Sequence, residues 1–347
     1  MRILFSRIRY PVYDAIHFLE KLTSAKIINF FKVFVSFYIS KANKKPLIYG
    51  YPVSISIEPT TSCNLRCPEC ISGLRSFTRP TGMLDDKLFS TVINQLKNEL
   101  INLTLYFQGE PFLNPGFFNM VAFAHKNRIY THTSTNGHYL SEENTKKAVT
   151  AGLDRLIISV DNFDQDSYVK YRVGGDIETV KSGIKTLVKI RKQLNARRPY
   201  IILQFLVNRE NEKSIKQLKR DSYELGADKV VFKTMQIYDY QSGSPFIPEN
   251  EKYSRYLKTG EQSYKLKNEL YNHCWKMWHS CVLTWDGRVL PCCFDKNANH
   301  SVGTLNGVSL KSIWKSDSYN SFRSKVLNSR SSVDICTNCS EGSKAWI

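Results

Sequence analysis

Three closely spaced cysteines are the residues of this sequence best suited to chemistry. Cys63, Cys67 and Cys70 follow one another in the segment Ser62–Cys70, separated by three and then two residues. Three thiolates can hold three irons of a [4Fe–4S] cube, which leaves the fourth iron open to a small molecule. Close cysteines can also bind zinc, where a structural site normally uses four protein ligands, or form disulfides. The spacing favours the open iron–sulfur site.

Six further cysteines lie near the end of the chain: Cys274, Cys281, Cys292, Cys293, Cys336 and Cys339. We predict that four of them form a second centre: Cys274, Cys292, Cys336 and Cys339. Four thiolates suit a closed [4Fe–4S] cluster or a structural zinc, and the spacing does not separate the two. The two remaining thiols are expected to be buried core residues, although either can replace one of the four ligands.

Composition limits the kind of protein that carries these cysteines. The chain has 347 residues, of which 42% are apolar and 23% charged, as in a soluble protein with one large domain and a smaller one. Clustered cysteines without a secretory signal indicate metal or cluster binding in a reducing compartment. We therefore expect a cytoplasmic protein.

Basic residues predominate, and the formal net charge is +18. A large positive charge of this kind favours binding to nucleic acid, to an anionic membrane surface or to an acidic substrate. In the first 45 residues nine Lys and Arg face only Asp14 and Glu20, so this stretch carries +7 of the total. The other basic residues are dispersed over predicted helix surfaces, where solvated charges are the simpler interpretation.

The same N-terminal stretch contains an apolar run, Ile27–Ile39, which is too short and too interrupted by a lysine to span a bilayer. Phe30, Phe34, Phe37 and Tyr38 fall on one helical face with basic residues at both ends. A helix of this kind can lie in a membrane interface, peripheral at the inner membrane surface. The alternative is that its aromatic face packs on the protein's own body.

After Pro46, apolar β-branched runs alternate with helical patterns. The predicted strands are Val53–Ile57, Asn102–Phe107, Tyr130–Ser134, Arg155–Val160, Tyr200–Val207 and Lys229–Lys233. The predicted helices are Asp85–Glu99, Pro115–Asn127, Ser141–Ala151, Ile177–Leu194 and Glu212–Leu225. Such alternation indicates a parallel sheet, and six units are fewer than the eight of a closed barrel. We predict an α/β fold, a partial (β/α)6 TIM-like barrel, with chemistry at the carboxyl ends of its strands.

Four regions follow from this pattern: a basic amphipathic helical segment at 1–48, the partial barrel at 49–235, a connector at 236–273 and a small cysteine-rich α+β extension at 274–347. In the extension, Cys281–Trp285 and Arg288–Pro291 flank Asp286-Gly287, a strong hairpin pattern. One helix is predicted near Leu310–Leu327.

Several motifs in this order resemble the radical S-adenosylmethionine (radical SAM) superfamily. They are Cys63-x3-Cys67-x2-Cys70 after the first strand, Gln108-Gly109-Glu110-Pro111 after the second and Ser134-Thr135-Asn136-Gly137 at the end of the third. The segment Trp285–Cys292 and the final Cys-x2-Cys resemble the SPASM/twitch extension of that superfamily. The resemblance covers roughly residues 50–347.

The resemblance implies a role for each matching residue. The first three cysteines would hold a [4Fe–4S] cluster whose open iron binds S-adenosylmethionine, and the C-terminal cysteines a second [4Fe–4S] cluster. The implied S-adenosylmethionine contacts are Gln108, Gly109, Glu110, Pro111, Asn136, Ser159, Asp161 and Arg172. Gln108 stands where the family usually has glycine. Arg172 would pair with the methionine carboxylate, which its planar fork suits.

The implied activity is reductive cleavage of S-adenosylmethionine, after which a 5′-deoxyadenosyl radical abstracts hydrogen from a substrate for oxidation or another modification. A one-electron reductant such as flavodoxin or ferredoxin would supply the electron. The substrate is unidentified; a peptide, a sugar and a lipid-linked compound are the alternatives. Catalytic acid–base residues cannot be named from the sequence. A zinc-dependent nucleic-acid-binding protein and a non-catalytic scaffold of the same fold are the competing interpretations, and the six β-α units argue against nucleic acid as a partner.

Overall fold

The computed structural model of the chain describes the backbone of residues 2–260 and 263–340 and the side chains of residues 10–260 and 263–340. Three parts of the predicted regions lie outside this description: residue 1 of the N-terminal segment, residues 261–262 of the connector and residues 341–347 of the extension.

Six parallel strands form the centre of the molecule in the order of the sequence. They are β1 (Ser54–Ile57), β2 (Asn102–Thr104), β3 (Tyr130–Thr135), β4 (Arg155–Ser159), β5 (Tyr200–Val207) and β6 (Lys229–Thr234). Each strand pairs in parallel with the next along the chain. The predicted partial TIM-like barrel is therefore confirmed.

Helices cover the outer surface of this sheet and precede it. They are α1 (Arg2–Glu20), α2 (Ser24–Asn43), α3 (Ile71–Leu74), α4 (Asp86–Leu96), α5 (Phe117–Lys126), α6 (Glu142–Thr150), α7 (Gln165–Tyr171), α8 (Ile177–Gln193) and α9 (Ile215–Glu224). The strands turn apolar side chains such as Ile55, Leu103 and Leu156 toward the helices, where all three are buried. Alternate positions carry polar residues such as His132 and Gln204, since neighbouring strand residues face opposite sides.

Two helices within the barrel were missed by the sequence analysis, and both lie beside the predicted site. The short helix α3 follows Cys70, which is its N-cap residue. Helix α7 begins after Asp164, whose side chain accepts a hydrogen bond from Ser167 N, and ends just before Arg172. Their brevity explains the omission, because a periodic pattern needs more than two turns to be recognised.

The C-terminal hairpin extends the same sheet beyond β1. Two strands of the connector come first, β7 (Tyr256–Lys258) and β8 (Tyr264–Leu266), and pair only with each other. After α10 (Lys276–His279), β9 (Ser280–Leu283) pairs in parallel with β1 and antiparallel with β10 (Arg288–Leu290), which pairs with β11 (Gly303–Thr304). The hairpin was predicted; its union with the barrel was not.

The helix predicted at Leu310–Leu327 is wrong as a single element. It consists of α11 (Leu310–Trp314) and α12 (Asp317–Ser329). Ser316 has extended backbone and its hydroxyl accepts a hydrogen bond from Tyr319 N, so it starts a new helix and interrupts the first. A short last helix, α13 (Asp334–Thr337), contains Cys336.

Helices α1 and α2 lie across the amino-terminal ends of the barrel strands. Lys26 Nζ of α2 donates to the carbonyl of Arg128, just before β3, and Asn29 donates to the carbonyl of Glu99, before β2. Within the described residues, no helix by itself has the length and apolarity to cross a membrane; only Tyr10–Glu20 and Ser24–Asn43 taken together do, and they meet at 90°.

Candidate active site

A cavity opens at the carboxyl ends of the barrel strands, where parallel barrels place their chemistry. It encloses ≈ 1240 Å³, solvent at its mouth included. All three cysteines of the first cluster motif line it, together with Gly109, Glu110, Asn136, Ser159 and Arg172. Gln108 is buried just before this set, Pro111 begins a short 3₁₀ turn just after Glu110, and Asp161 contacts Arg172 from behind.

The cysteine loop is held mainly by backbone contacts. Arg66 N donates to the carbonyl of Val173 at 2.9 Å, and Arg75 Nη2 donates to the carbonyl of Cys63 at 2.7 Å. Gly73 allows α3 to lie against the loop, because a Cβ there would come within 2.5 Å of the Cys67 backbone. The loop is therefore positioned by contacts within the protein itself.

Burial disfavours ionisation of these thiols when no metal is bound. It raises the pKa of Cys63 above its ordinary value and the pKa of Cys67 to about 11, against the nearby Arg172 charge. Metal binding displaces such protons, because thiolates are the ligands. The donor set is therefore suited to a metal cluster and not to a free nucleophile.

The segment Gln108–Pro111 crosses directly over the cysteine loop. Gly109 has φ +72°, and a Cβ at this position would lie 2.3 Å from the carbonyl oxygen of Thr60. The backbone is fixed here by a second contact, since Gly109 N donates to Ser72 Oγ of α3 at 2.9 Å. Only glycine permits this approach, so the backbone of the segment forms one wall of the cavity.

The carboxylate of Glu110 is used inside the protein. It accepts hydrogen bonds from Thr135 Oγ1 at 2.7 Å, Asn136 N at 2.8 Å and Phe112 N at 3.3 Å. Burial raises the pKa of Glu110 to about 7. Its side chain joins the ends of β2 and β3, which positions the backbone of its own loop.

Asn136 and Ser159 occupy the ends of the next two strands. Asn136 Nδ2 donates to Asn64 Oδ1 at 2.7 Å and lies 3.8 Å from Cys63 Sγ. Ser159 Oγ lies 3.4 Å from Ser134 Oγ, and both line the cavity. Asn136 thereby links the third strand to the cysteine loop.

Asp161 and Arg172 form a buried pair beside Cys67. Arg172 Nε donates to Asp161 Oδ2 at 2.6 Å, and its Nη1 lies 3.9 Å from Cys67 Sγ. Asp161 Oδ1 also accepts from Leu206 N at 2.6 Å. The Asp161 carboxylate holds the Arg172 guanidinium beside the cysteine loop. The other edge of the guanidinium faces the cavity and can bind a ligand there.

The cavity also contains residues that the sequence analysis missed. They are mainly Tyr106, Gln204, Lys233, Arg255 and Lys296. Gln204 interrupts the apolar run within Tyr200–Val207, a pattern that could have marked it. Arg255 and Lys296 come from the connector and the C-terminal extension, and their positions in the chain contain no such indication.

The C-terminal cysteines divide into two groups by their surroundings. Cys274, Cys336 and Cys339 surround Arg330, whose Nη2 lies 3.4 Å from Cys339 Sγ. Burial alone would lower the pKa of Arg330, but these three thiols raise it. A hydrogen bond with Cys293, burial and the nearby Cys274 raise the pKa of Cys292, so the fourth predicted ligand lies beside the same group.

The two remaining cysteines differ from each other. Cys281 lies in β9 opposite Ile55 of β1 and is only 2% exposed, and burial raises its pKa to about 12. It is a core residue, as expected. Cys293 is half-buried, and Lys276 Nζ lies 3.6 Å from its sulfur. The expectation of full burial is wrong for Cys293, which packs against the core but is only partly buried, and its alternative role as a ligand stays open.

These residues fit an iron–sulfur cluster with S-adenosylmethionine. Three thiols of one loop border a cavity of suitable size, a glycine backbone approaches them closely, and a guanidinium stands beside them. Among residues 10–260 and 263–340, no three His, Cys, Asp or Glu side chains come close enough together to hold a single metal ion.

Comparison with known proteins gives the same assignment. Residues 57–221 match the family model described as "Radical SAM superfamily", and residues 274–340 match the SPASM model, "Iron-sulfur cluster-binding domain". The tungsten-containing aldehyde ferredoxin oxidoreductase cofactor-modifying protein of Pyrococcus furiosus is 28% identical over 82% of this chain and 86% of its own length. The PqqA peptide cyclase of Gluconobacter oxydans is 24% identical over 85% and 84%.

A solved structure shares the fold. Streptococcus suis SuiB, crystallised with S-adenosylmethionine, is 16% identical and superimposes with a TM-score of 0.63 over 87% of this chain and 75% of its own. The cofactors are accordingly a SAM-binding [4Fe–4S] cluster, S-adenosylmethionine and further iron–sulfur in the C-terminal domain. These matches support the iron–sulfur interpretation of the cysteines and give no support to the competing one as a zinc-dependent nucleic-acid-binding protein. The chain belongs to the radical SAM superfamily and is an enzyme of that family with a C-terminal iron–sulfur cluster-binding SPASM domain.

Proposed function

We propose that this enzyme removes a hydrogen atom from a substrate that carries an anionic group, for oxidation or another modification, and that Lys233, Arg255 and Lys296 bind that group. The observation that supports this proposal is a set of partly buried cations in the cavity, none of which forms an ion pair with a described carboxylate. Glu69 also lines the cavity, but it lies beyond ion-pair distance of Lys296. All three side chains line the cavity. Among the described residues, no carboxylate lies within ion-pair distance of any of them.

Burial and mutual repulsion both act against the charge of these residues. Burial lowers the pKa of Lys233, and the nearby Lys276 and Arg255 lower it further. Burial likewise lowers the pKa of Arg255 and of Lys296. Arg255 Nη2 donates to the carbonyl of Thr234 at 2.9 Å, whereas its Nε is buried without a partner. A bound carboxylate or phosphate would relieve the repulsion between these cations.

The cavity divides into two halves with different side chains. The ends of β1–β4 carry the cysteine loop, Gly109, Asn136 and Ser159, which match the family's cofactor positions. The ends of β5 and β6 carry Gln204 and Lys233, with Arg255 from the connector beside them. Because β6 is five strands from β1, the cationic half has room for a second molecule.

Cys63, Cys67 and Cys70 would hold the cluster, which together with S-adenosylmethionine would supply the radical chemistry that removes a hydrogen atom from an unactivated carbon. The protein's own residues orient the reactants and exclude water. Glu110 holds the second and third strand ends together, and Asp161 holds Arg172 toward the cysteine loop. Tyr171 and Leu206 provide an apolar wall, which protects a reactive species from solvent.

The anionic group can belong to a peptide or to a phosphorylated small molecule. Peptides are favoured by the relatives, one of which is named as a peptide cyclase and another of which was crystallised with a precursor peptide. Sugars and lipid-linked compounds qualify where they carry carboxylate or phosphate. A flavodoxin or ferredoxin is the proposed electron donor, and the cytoplasm, with contact at the inner membrane surface through residues 1–45, is the proposed location.

The test uses enzyme reconstituted anaerobically with iron and sulfide. Dithionite and S-adenosylmethionine should yield 5′-deoxyadenosine slowly without substrate. Acidic peptides and phosphorylated compounds are then added separately, and stimulation of 5′-deoxyadenosine formation is measured. We expect one of these two classes to stimulate the rate and matched neutral compounds not to.

Lys233→Gln should remove the stimulation and keep the substrate-free rate. The matched control is Lys229→Gln, which makes the same change on the same strand at an exposed position outside the cavity. Equal stimulation of wild type and Lys233→Gln would refute the anionic-group proposal, and stimulation by neutral compounds alone would do the same.

A further inference from the structure

In the described parts of the first two helices, polar side chains face the protein and apolar side chains face outward. A helix on a water-exposed surface has the opposite arrangement. In α2 the side chains that face the body are mostly polar, and each makes hydrogen bonds. Asn29 Nδ2 donates to the carbonyl of Tyr51 at 2.9 Å, Ser36 Oγ accepts from Tyr49 N at 2.8 Å and Ser40 Oγ accepts from Leu47 N at 2.8 Å. Lys26, only 1% exposed, donates to a backbone carbonyl.

Helix α1 has the same arrangement. Asp14 pairs with Arg155 at 2.5 Å, and two further polar side chains are buried, His17 in the helix and Lys21 directly after its end. Lys21 Nζ lies 4.0 Å from Asp154 Oδ2. Tyr10 packs over the guanidinium of Arg191 at 3.6 Å. Over its described side chains, residues 10–20, polar and aromatic contacts therefore attach α1 to the barrel.

The outward faces of both helices are apolar. On α2, Ile28, Phe31, Val35 and Tyr38 follow one another at helical spacing, and Phe31 is 59% exposed. On α1, Val12, Ile16 and Leu19 do the same, and Leu19 is 62% exposed. Of the four aromatic residues that we predicted on one helical face, Phe30, Phe34 and Tyr38 are exposed and only Phe37 is buried. That face therefore packs on the protein's own body only in part.

Charge indicates which surface would cover this face. Residues 24–45, which comprise α2 and the two residues that follow it, contain five lysines and no acidic residue. Lys32, Lys41, Lys44 and Lys45 are exposed, while Glu20 is an exposed acid at the end of α1. Apolar side chains bordered by lysines suit a bilayer surface with anionic headgroups, since an apolar protein partner does not require the lysines.

We propose that the outward face of α1 and α2 binds the surface of an anionic bilayer, with both helices lying in the interface. These helices cover the amino-terminal ends of the strands, and the cavity opens at the carboxyl ends. The bound enzyme therefore turns its cavity toward the water phase. Its substrate arrives from solution and not from the lipid on which the enzyme rests.

Flotation of the full chain with vesicles tests the proposal. Vesicles of phosphatidylcholine with phosphatidylglycerol are compared with pure phosphatidylcholine. We expect flotation with the anionic vesicles only. The double variant Ile28→Glu/Phe31→Glu should reduce it by more than tenfold, and Lys32→Gln and Lys41→Gln by about fivefold each at low salt.

The control is Val308→Glu, which introduces one glutamate in place of an apolar residue that is 48% exposed in the C-terminal part of the chain. It should float like wild type. The reductive formation of 5′-deoxyadenosine should be equal in all variants, so loss of flotation is separable from a defect in the cysteine centres.

Two results would overturn the proposal. One is equal flotation of the wild type and the Ile28→Glu/Phe31→Glu variant with anionic vesicles. The other is failure of the wild type to float, most directly when it is a dimer in gel filtration that the double variant converts to monomer. In that case a second copy of the chain covers this face.

Discussion

The two cysteine centres differ in how much of the protein surrounds them. The first takes its three thiols from one loop, and Cys63 and Cys70 are only half-buried at the edge of the cavity. The second gathers its thiols from separate elements, three of them around Arg330; Cys292, Cys336 and Cys339 are buried, and only Cys274 is half-buried. A metal centre that lacks one protein ligand and borders open space can bind a small molecule, whereas a centre enclosed by four protein ligands cannot. The difference assigns bond-breaking chemistry to the first centre.

A matching contrast concerns the cation beside each centre. Arg172 is fixed by Asp161 and points toward Cys67, and its other edge borders the cavity. Arg330 instead donates to the carbonyl of His273 at 3.0 Å and contacts Cys339. Arg330 is therefore enclosed by its own domain, while Arg172 remains available to a ligand.

The largest expected effect comes from removing one thiol of the open centre. Cys67→Ala leaves two thiols for the cube, so we expect the loss of about four of about eight irons per chain and of all 5′-deoxyadenosine formation. Iron analysis and anaerobic product analysis measure both. Retained cleavage of S-adenosylmethionine would contradict the assignment of this centre.

Removal of a thiol from the enclosed centre should have a smaller effect. Cys336→Ala should also lose about four irons, yet keep reductive cleavage of S-adenosylmethionine because the first loop is intact. Iron content and 5′-deoxyadenosine are again the measurements. If cleavage disappears together with the iron, the two centres are not independent.

Two glycine substitutions test the backbone contacts of the first centre. Gly109→Ala brings a Cβ within 2.3 Å of the Thr60 carbonyl oxygen, so we expect at least tenfold weaker binding of S-adenosylmethionine. Gly307→Ala is the control, because Gly307 has φ +77° and a Cβ added there would have no other atom within 4 Å. Both variants bear the strain of a left-handed backbone, about 1–2 kcal/mol, and only the first has the clash. Equilibrium binding should therefore be normal for Gly307→Ala.

The smallest effect is expected at Cys281. Its thiol packs in β9 against the barrel and is no ligand in our assignment, so Cys281→Ala should keep about eight irons and normal activity. The unfolding free energy should fall by about 1 kcal/mol, because a small buried group is removed. Denaturant titration measures this change. A loss of about four irons would make Cys281 a ligand of the second centre.

Much of the barrel was predictable because its pattern is local. Each strand lies within a few residues of its predicted position, and Gly152 and Gly226 follow the ends of their helices with positive φ. The second strand ends at Thr104 and not at Phe107, since the following residues bend toward the cysteine loop, where Glu110 N donates to Ser62 O at 2.7 Å. That contact joins segments far apart in the chain.

The order of amino acids was enough to specify the open cysteine loop, the succession of the strands and the carboxyl-end location of the site. These features depend on spacing along a short stretch, where chain neighbours are also neighbours in space. The cations that meet in the cavity became apparent only in the folded chain, because Lys233, Arg255 and Lys296 come from three separate regions. The same holds for the inward polar faces of α1 and α2. Periodicity reveals which side chains share a face of a helix, but only packing against the barrel determines which face meets the protein and which meets its surroundings.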